Sequence, residues 1–256
     1  MNVMEYGTKN RPVIVLLHGG GLSWWNFREQ AERLSQNYRV LLPILDGHGD
    51  SEEGFHSIEE NARRILAYID EQLGGTVEIL GGLSLGAQIA LEILSQRADI
   101  CSYAIIESAA VLPDRLTAAL VGPSFSACYG LIRQAWFSRL QFQYLRIRQD
   151  LFEDYDRDSR KIQKADLITF VKASALYRAK PALGQTKAKV LLVVGQKESS
   201  RIQRSARLLQ DIIPGSVLRR EKGLHHGAFS LNHGERYAET LMRFAHRERA
   251  FREDDR

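Results

Sequence analysis

Short, nearly continuous apolar runs alternate along this chain with stretches in which apolar residues recur every three or four positions. The runs are Val13–Leu17, Arg39–Leu42, Val77–Leu80, Tyr103–Ile106, Val190–Val194 and Ser216–Arg220. Most are dense in Val, Ile and Leu with little polar alternation, the pattern of parallel strands covered on both faces. Between them the period lengthens. Ser57-x-x-Glu60 forms a capping box, and Ile58, Ala62, Ile65, Leu66, Ile69 and Leu73 then make one apolar face of a helix. Ile202, Ala206, Leu209 and Ile213 repeat the pattern before Pro214-Gly215 stops it, and Tyr237, Leu241 and Phe244 mark a last helix. Strand–helix alternation of this kind predicts an α/β fold, a mostly parallel doubly wound sheet with helices on both faces.

One stretch departs from the alternation. From Pro113 to Pro181 there is no strand pattern, only helical periodicity such as Ile132, Trp136 and Leu140, then Leu167, Phe170, Val171 and Ser174. This is too long for a simple connection. It predicts a helical cap over residues 113–181, inserted into a core domain formed by residues 1–112 and 182–256. The charged end Phe251–Arg256 is expected to fray.

Composition narrows the picture. Hydrophobic content of 44% supplies a core, and charged content of 26% is ordinary for a soluble protein. The net charge of +4 permits anionic substrates, but Lys and Arg are dispersed among acidic residues, which argues against a nucleic-acid-binding face. The two cysteines, Cys101 and Cys128, belong to no metal-type cluster and are expected to be reduced thiols. The first residues lack a basic segment followed by an apolar one, and the apolar runs have only strand length, so a cytoplasmic location without a membrane span is expected. No metal cluster, P-loop or dinucleotide fingerprint is visible; Gly19-Gly20-Gly21 is not the spaced glycine pattern such a fingerprint needs. No cofactor is expected, and the partner is a small-molecule substrate, with monomer and homodimer both open.

The residues that carry chemistry lie at strand ends. Gly82-Leu83-Ser84-Leu85-Gly86 follows one apolar run and opens a helical pattern, the arrangement of a nucleophile elbow. A serine hydroxyl needs a base, an acid that orients the base, and donors for a developing oxyanion. His18-Gly19-Gly20-Gly21 closes the first apolar run, and the N–H groups of Gly20 and Leu85 are the candidate oxyanion donors. Glu198, just past Val190–Val194, is the candidate acid. Glu107, at the end of Tyr103–Ile106, competes with it, and the order serine, acid, histidine favours Glu198. In Gly223-Leu224-His225-His226-Gly227, His226 is the candidate base and His225 the fallback. His18 reads as a structural hydrogen-bonding group behind the oxyanion loop, and His246 as part of a charged helix tail.

Taken in order, Leu16 to Gly21, Asp46-Gly47-His48-Gly49-Asp50-Ser51, Gly82 to Gly86, Gly195-Gln196-Lys197-Glu198 and Gly223 to Gly227 resemble the motifs of compact, capped α/β-hydrolases. The resemblance spans nearly the whole chain. It implies the α/β-hydrolase fold with about seven strands, Ser84 as nucleophile, His226 as base, and an oxyanion hole from Gly20 and Leu85. It has departures. Only Met1 to Tyr6 precedes the first run, room for one short strand rather than a hairpin. Glu198 stands where most members have Asp. Asp46 directly precedes Gly47, which makes it structural rather than catalytic. The serine separates the chain from epoxide hydrolases and haloalkane dehalogenases, which attack through an elbow Asp.

The expected reaction is cleavage of a small ester or related acyl bond through an acyl-enzyme. Carbon–carbon bond hydrolysis, thioesterase, lactonase or lyase activity on the same scaffold stays open, as does a non-catalytic receptor. Aromatic residues of the insertion and of the first loop supply candidates for an apolar acyl pocket, with Trp24 and Trp136 chosen as substrate-binding. Arg133, Arg139, Arg146 and Arg148 are either a solvated helix face or an anion-binding rim.

Overall fold

The computed structural model describes residues 1–132 and 134–253. Arg133 and residues 254–256 lie outside the described residues, as do the side chains of Cys128 and His246. The chain runs β1 (Val3–Tyr6), β2 (Val13–Leu17), α1 (Arg28–Leu34), β3 (Arg39–Pro43), α2 (Ile58–Leu73), β4 (Val77–Leu83), α3 (Leu85–Gln96) and β5 (Cys101–Glu107). Four helices follow: α4 (Arg115–Ile132), α5 (Ala135–Leu145), α6 (Phe152–Ser159) and α7 (Lys164–Leu176). The chain then completes β6 (Lys189–Gly195), α8 (Ser200–Ile212), β7 (Val217–Glu221), α9 (Ala228–Asn232) and α10 (Gly234–Glu253).

The seven strands form one sheet in the order β1-β3-β2-β4-β5-β6-β7. All neighbours are parallel except β1, which pairs antiparallel with β3. The six apolar runs are therefore strands, and the short N-terminal segment supplies the seventh at an edge. β4 extends three residues past its apolar run, because a ladder needs only backbone: Gly81, Gly82 and Leu83 pair with Ile105, Ile106 and Glu107.

Alternate side chains of each strand feed opposite faces. Val15 and Leu17 join a buried cluster with Ile65, Ile69 and Ile89 from α2 and α3. Ile14 and Leu16 join a second cluster with Leu34 from α1 and Tyr237 and Leu241 from α10. Double-sided burial is why the runs read as continuously apolar. At the start of α2 the Ser57 Oγ accepts from the Glu60 N–H at 3.0 Å, as the capping box requires, while the Glu60 carboxylate turns to Arg64 instead of back to the cap.

Parallel register brings the C-terminal ends of β2, β4, β5 and β6 to one edge of the sheet. Leu17 pairs with Gly82, Leu83 with Glu107, and Glu107 with Val193. Because β3 and β4 flank β2 on opposite sides, the loops after β2 and β4 diverge there, leaving the crevice in which such sheets bind ligands. The helices α4 to α7 are tied to the core beside it. The Trp25 indole N–H donates to the Asp158 Oδ2 at 3.0 Å, Arg28 pairs with Asp154 at 2.6 Å, and the Phe55 N–H donates to Asp166 at 2.8 Å.

Candidate functional site

Ser84 stands between β4 and α3 with φ 52° and ψ −108°, a left-handed backbone that a side chain other than glycine adopts only under strain. Close packing holds it there. A Cβ on Gly82 would lie 2.4 Å from the Gly86 carbonyl, and one on Gly86 would lie 2.1 Å from the Leu17 carbonyl oxygen. Both glycines of the elbow are thus demanded by backbone contact, not by their own dihedral angles. The Ser84 N–H donates to the Glu107 carbonyl at 2.9 Å, which docks the elbow on β5.

His226 meets Ser84 from a loop 142 residues later. Its Nε2 is 3.1 Å from the Ser84 Oγ, and its Nδ1 is 2.7 Å from the Glu198 Oε2. This geometry matches the tautomer in which Nδ1–H donates to the carboxylate and Nε2 accepts from the serine. The adjacent His225 turns outward, with its Nε2 3.0 Å from the Arg146 Nη1. The pKa of His226 is raised above the ordinary 6.5. Desolvation acts against the imidazolium, but the hydrogen bond and charge of Glu198, followed by the more distant Glu107, outweigh it.

The Glu198 side chain is 1% exposed. Besides His226, it accepts from the Gly195 N–H at 2.7 Å and the Ser108 Oγ–H at 2.8 Å. Three donors therefore converge on one buried carboxyl group. Ser108 has φ 58°, a second strained serine, at the end of the neighbouring strand. Its role was hidden in the sequence, where only the small residues after Glu107 hint at a crowded turn.

Glu107 is buried as completely but supported differently. Its Oε1 accepts from the Ser230 N–H at 3.2 Å, and its Oε2 has no partner among the described residues. Burial pushes its pKa up to about 7, only partly offset by Ser230. Ser230 also joins two loops. Its Oγ–H donates to the Gly227 carbonyl at 3.4 Å, its carbonyl accepts from the Gln30 Nε2–H at 2.7 Å, and its Oγ accepts from the Asn26 Nδ2–H at 3.4 Å. Asn26 in turn accepts from the Gly19 N–H at 3.2 Å. The first glycine loop and the histidine loop are braced by one buried polar chain.

In that first loop, a Cβ on Gly20 would lie 3.5 Å from the Leu85 Cβ and 3.3 Å from the Phe170 ring, so Gly20, Leu85 and α7 adjoin. His18 lies behind: its Nδ1–H donates to the Gly19 carbonyl and its Nε2 accepts from the Leu45 N–H. Burial and the neighbouring His48 hold His18 down to about 3. His48 packs 4.5 Å from the Phe170 ring, and burial holds it down to about 4. Asp46 is buried, accepts at its backbone carbonyl from His48 and lies 3.4 Å from Arg64, away from Ser84's hydrogen bonds. Of the aromatic candidates, Trp24 is partly buried with Arg28 over its ring, whereas Trp136 is 58% exposed with its ring against Phe137. Arg148 is neutralised by Glu29 and Asp150, and Arg139 lies over the Phe152 ring. Cys101 is buried and unpaired, its thiol pushed up to about 12 by burial.

The sheet order, the elbow after β4 and the strand-end loops define an α/β-hydrolase. The sequence profile of the alpha/beta hydrolase family matches residues 14–240, and the chain belongs to that family. Among curated relatives, it is 28% identical over 179 residues to an AB hydrolase superfamily protein of Gibberella zeae, covering 63% of this chain and 60% of that one. It is 30% identical over 96 residues to the magnesium-chelatase 30 kDa subunit of Rhodobacter capsulatus, covering 35% and 34% of the two chains. The matched part thus spans less than two thirds of either relative. Among solved structures, an esterase from Exiguobacterium antarcticum superposes with a TM-score of 0.80 at 23% identity, over 95% of this chain and 94% of that one. No described helix is long and apolar enough to cross a membrane.

Proposed function

We propose that this chain is a serine hydrolase that cleaves a small apolar or aromatic ester through an acyl-enzyme. The observation that carries this is His226 itself, whose two ring nitrogens reach the Ser84 Oγ at 3.1 Å and the Glu198 carboxylate at 2.7 Å. In this reading Nε2 takes the serine proton as Oγ attacks the carbonyl carbon, and Glu198 stabilises the imidazolium that forms. The N–H groups of Gly20 and Leu85 hold the oxyanion, helped by the N-terminus of α3. His226 then returns its proton to the leaving alkoxide. A water deprotonated by the same nitrogen releases the acid.

Residues 113–181 act as the cap of this core, with Phe170 of α7 bordering the oxyanion loop. The acyl pocket is assigned to Phe170, Leu22 and Trp24. Trp136 is withdrawn from that role, because its exposure sets it on the outer side of α5. Glu198 rather than Glu107 is the triad acid, since only Glu198 touches His226.

A fluorophosphonate probe tests the nucleophile. Labelling of the folded protein that vanishes in Ser84→Ala is the expected result. An unlabelled wild-type protein with native circular dichroism sinks the reading and favours a non-catalytic receptor. Turnover of nitrophenyl acetate and its longer homologues separates an esterase from the other acyl chemistries of the scaffold.

A further inference from the structure

Residues 115–149 contain five arginines (115, 133, 139, 146 and 148) and no Asp or Glu, in a chain that holds 31 acidic residues. Over the same stretch the apolar pattern is turned outward. Leu116 and Leu120 on α4 are 72% and 55% exposed, and Trp136, Leu140 and Tyr144 on α5 are 58%, 56% and 85% exposed. Most of the exposed large apolar side chains among the described residues fall on these two helices. Leu116 and Leu120 are four residues apart, and Trp136, Leu140 and Tyr144 follow at the same interval, so each set forms a stripe along its helix. Scattered exposed apolar residues are ordinary; stripes on consecutive helices mark a surface that is covered in use.

Three of the arginines around the stripes find no carboxylate among the described residues. Elsewhere many surface arginines find carboxylates, such as Arg28 with Asp154, Arg64 with Glu53 and Glu60, Arg157 with Asp154 and Asp158, and Arg160 with Asp156. Those that find none among the described residues, such as Arg178 and Arg204, are not set among exposed apolar stripes of this kind. Arg148, at the end of the stretch, pairs with Glu29 and Asp150. Among the described residues Arg115, Arg139 and Arg146 have no ion pair with a carboxylate. Arg139 instead lies over Phe152, and Arg146 beside His225, the neighbour of His226. The surface therefore extends to the histidine loop.

We infer that α4 and α5 form a docking surface for a bilayer carrying anionic headgroups. A bilayer interface takes apolar side chains and aromatic rings into its boundary while its anionic headgroups neutralise the surrounding arginines. A second copy of this chain is disfavoured, because a two-fold contact would set arginine against arginine with no acidic residue of the stretch between them. An acidic protein would satisfy the arginines but would also need an apolar face matched to both stripes. This inference is independent of the esterase reading, since it uses none of the residues assigned to that chemistry.

The test is co-sedimentation of the full chain with vesicles of phosphatidylcholine alone and of phosphatidylcholine with 30–50% phosphatidylglycerol, a range of about one half to one third anionic lipid chosen for its surface charge. Binding is expected to the anionic vesicles, at least tenfold tighter than to neutral ones, weakened by salt, and accompanied by a blue shift of tryptophan fluorescence that Trp136→Phe abolishes. Leu140→Ser with Tyr144→Ser, and separately Arg115→Glu with Arg139→Glu, should each weaken binding at least tenfold while hydrolysis of a soluble nitrophenyl ester is unchanged. All these positions are exposed, so the variants are expected to fold, and their circular dichroism checks it. No binding of the wild type to anionic vesicles overturns the proposal. So does a concentration-dependent dimer that Leu140→Ser dissociates, or capture by an acidic protein without vesicle binding. Loss of esterase activity with vesicle binding intact would sink the functional reading and leave this one standing.

Discussion

The ends of β5 and β6 each present a buried glutamate within reach of the same loop, and the two are hydrogen-bonded differently. At the end of β6, Glu198 receives donors from a backbone N–H, a serine hydroxyl and His226. At the end of β5, Glu107 draws on Ser230 alone, through its N–H at 3.2 Å, and its Oε2 has no hydrogen-bond partner among the described residues. Burial is similar at both, and the hydrogen-bond donors around them differ. Each donor replaces a water that a buried carboxyl has lost. The raised pKa of Glu107, about 7, fits a group held largely neutral below that pH. The difference teaches that an acid suited to orienting an imidazole is recognised by what surrounds it, not by its position at a strand end.

The largest effect expected from breaking this asymmetry is at Glu198. Glu198→Gln keeps the shape, removes the charge, and should lower kcat/KM on a nitrophenyl ester on the order of 10³-fold. The sign of the pH effect follows from His226. Its pKa is raised by Glu198, and the base is active when neutral, so the acid limb of the wild-type profile lies above 6.5. Without the Glu198 charge, desolvation dominates and the limb should move to lower pH. A limb that stays in place would show that Glu198 does not set the imidazole.

Glu107→Gln should change kcat/KM less than roughly tenfold, because no hydrogen bond to the base is lost. Its stability should move the other way. The folded protein keeps the Glu107 proton up to about pH 7, whereas the unfolded chain releases it near 4.5. The carboxyl therefore costs stability as pH rises from about 4.5 through about 7. Urea denaturation should find Glu107→Gln equal to wild type near pH 4 and more stable at pH 8 by about 1–3 kcal/mol. A destabilised variant at pH 8 would mean that Glu107 is ionised and needed as such. The smallest effect is at Ser108→Ala, which takes one donor of three from Glu198. A loss of about three- to tenfold in kcat/KM is expected, since the Glu198 carboxyl is held less firmly toward His226. An effect as large as that of Glu198→Gln would assign Ser108 a part in the reaction itself.

Much of this molecule was legible before any coordinates. The strand candidates were visible because parallel strands are covered on both faces, and that leaves unbroken apolar runs. The elbow was visible because Gly82 and Gly86 are imposed by backbone contacts within a few residues or between neighbouring strands. What was missed has weaker local marks. Asn26 lies within Trp24-Trp25-Asn26-Phe27 and Ser230 within Ala228-Phe229-Ser230-Leu231, each a buried polar residue in an apolar setting. Such residues need internal partners, a signal that could have been read, but the partners themselves are 204 residues apart. The exposure of Trp136 was hidden for the complementary reason. A helical period shows that a residue shares a face with others, not whether that face turns to a pocket or to solvent.

The sequence by itself determined the alternation of strands and helices, the strained turn at Ser84, and the choice of an imidazole loop after the last strand. These follow from short-range forces: dihedral strain, side-chain period and capping. Only the tertiary structure decided that His226 and not His225 faces the serine, that Glu198 and not Glu107 holds the histidine, and that the stripes of α4 and α5 point away from the core. Each depends on where segments some 30 to more than 100 residues apart come to lie, through parallel register and the packing of both sheet faces. Local pattern constrains a residue's neighbours along the chain. Charge, desolvation and hydrogen bonding at the site are set by its neighbours in space.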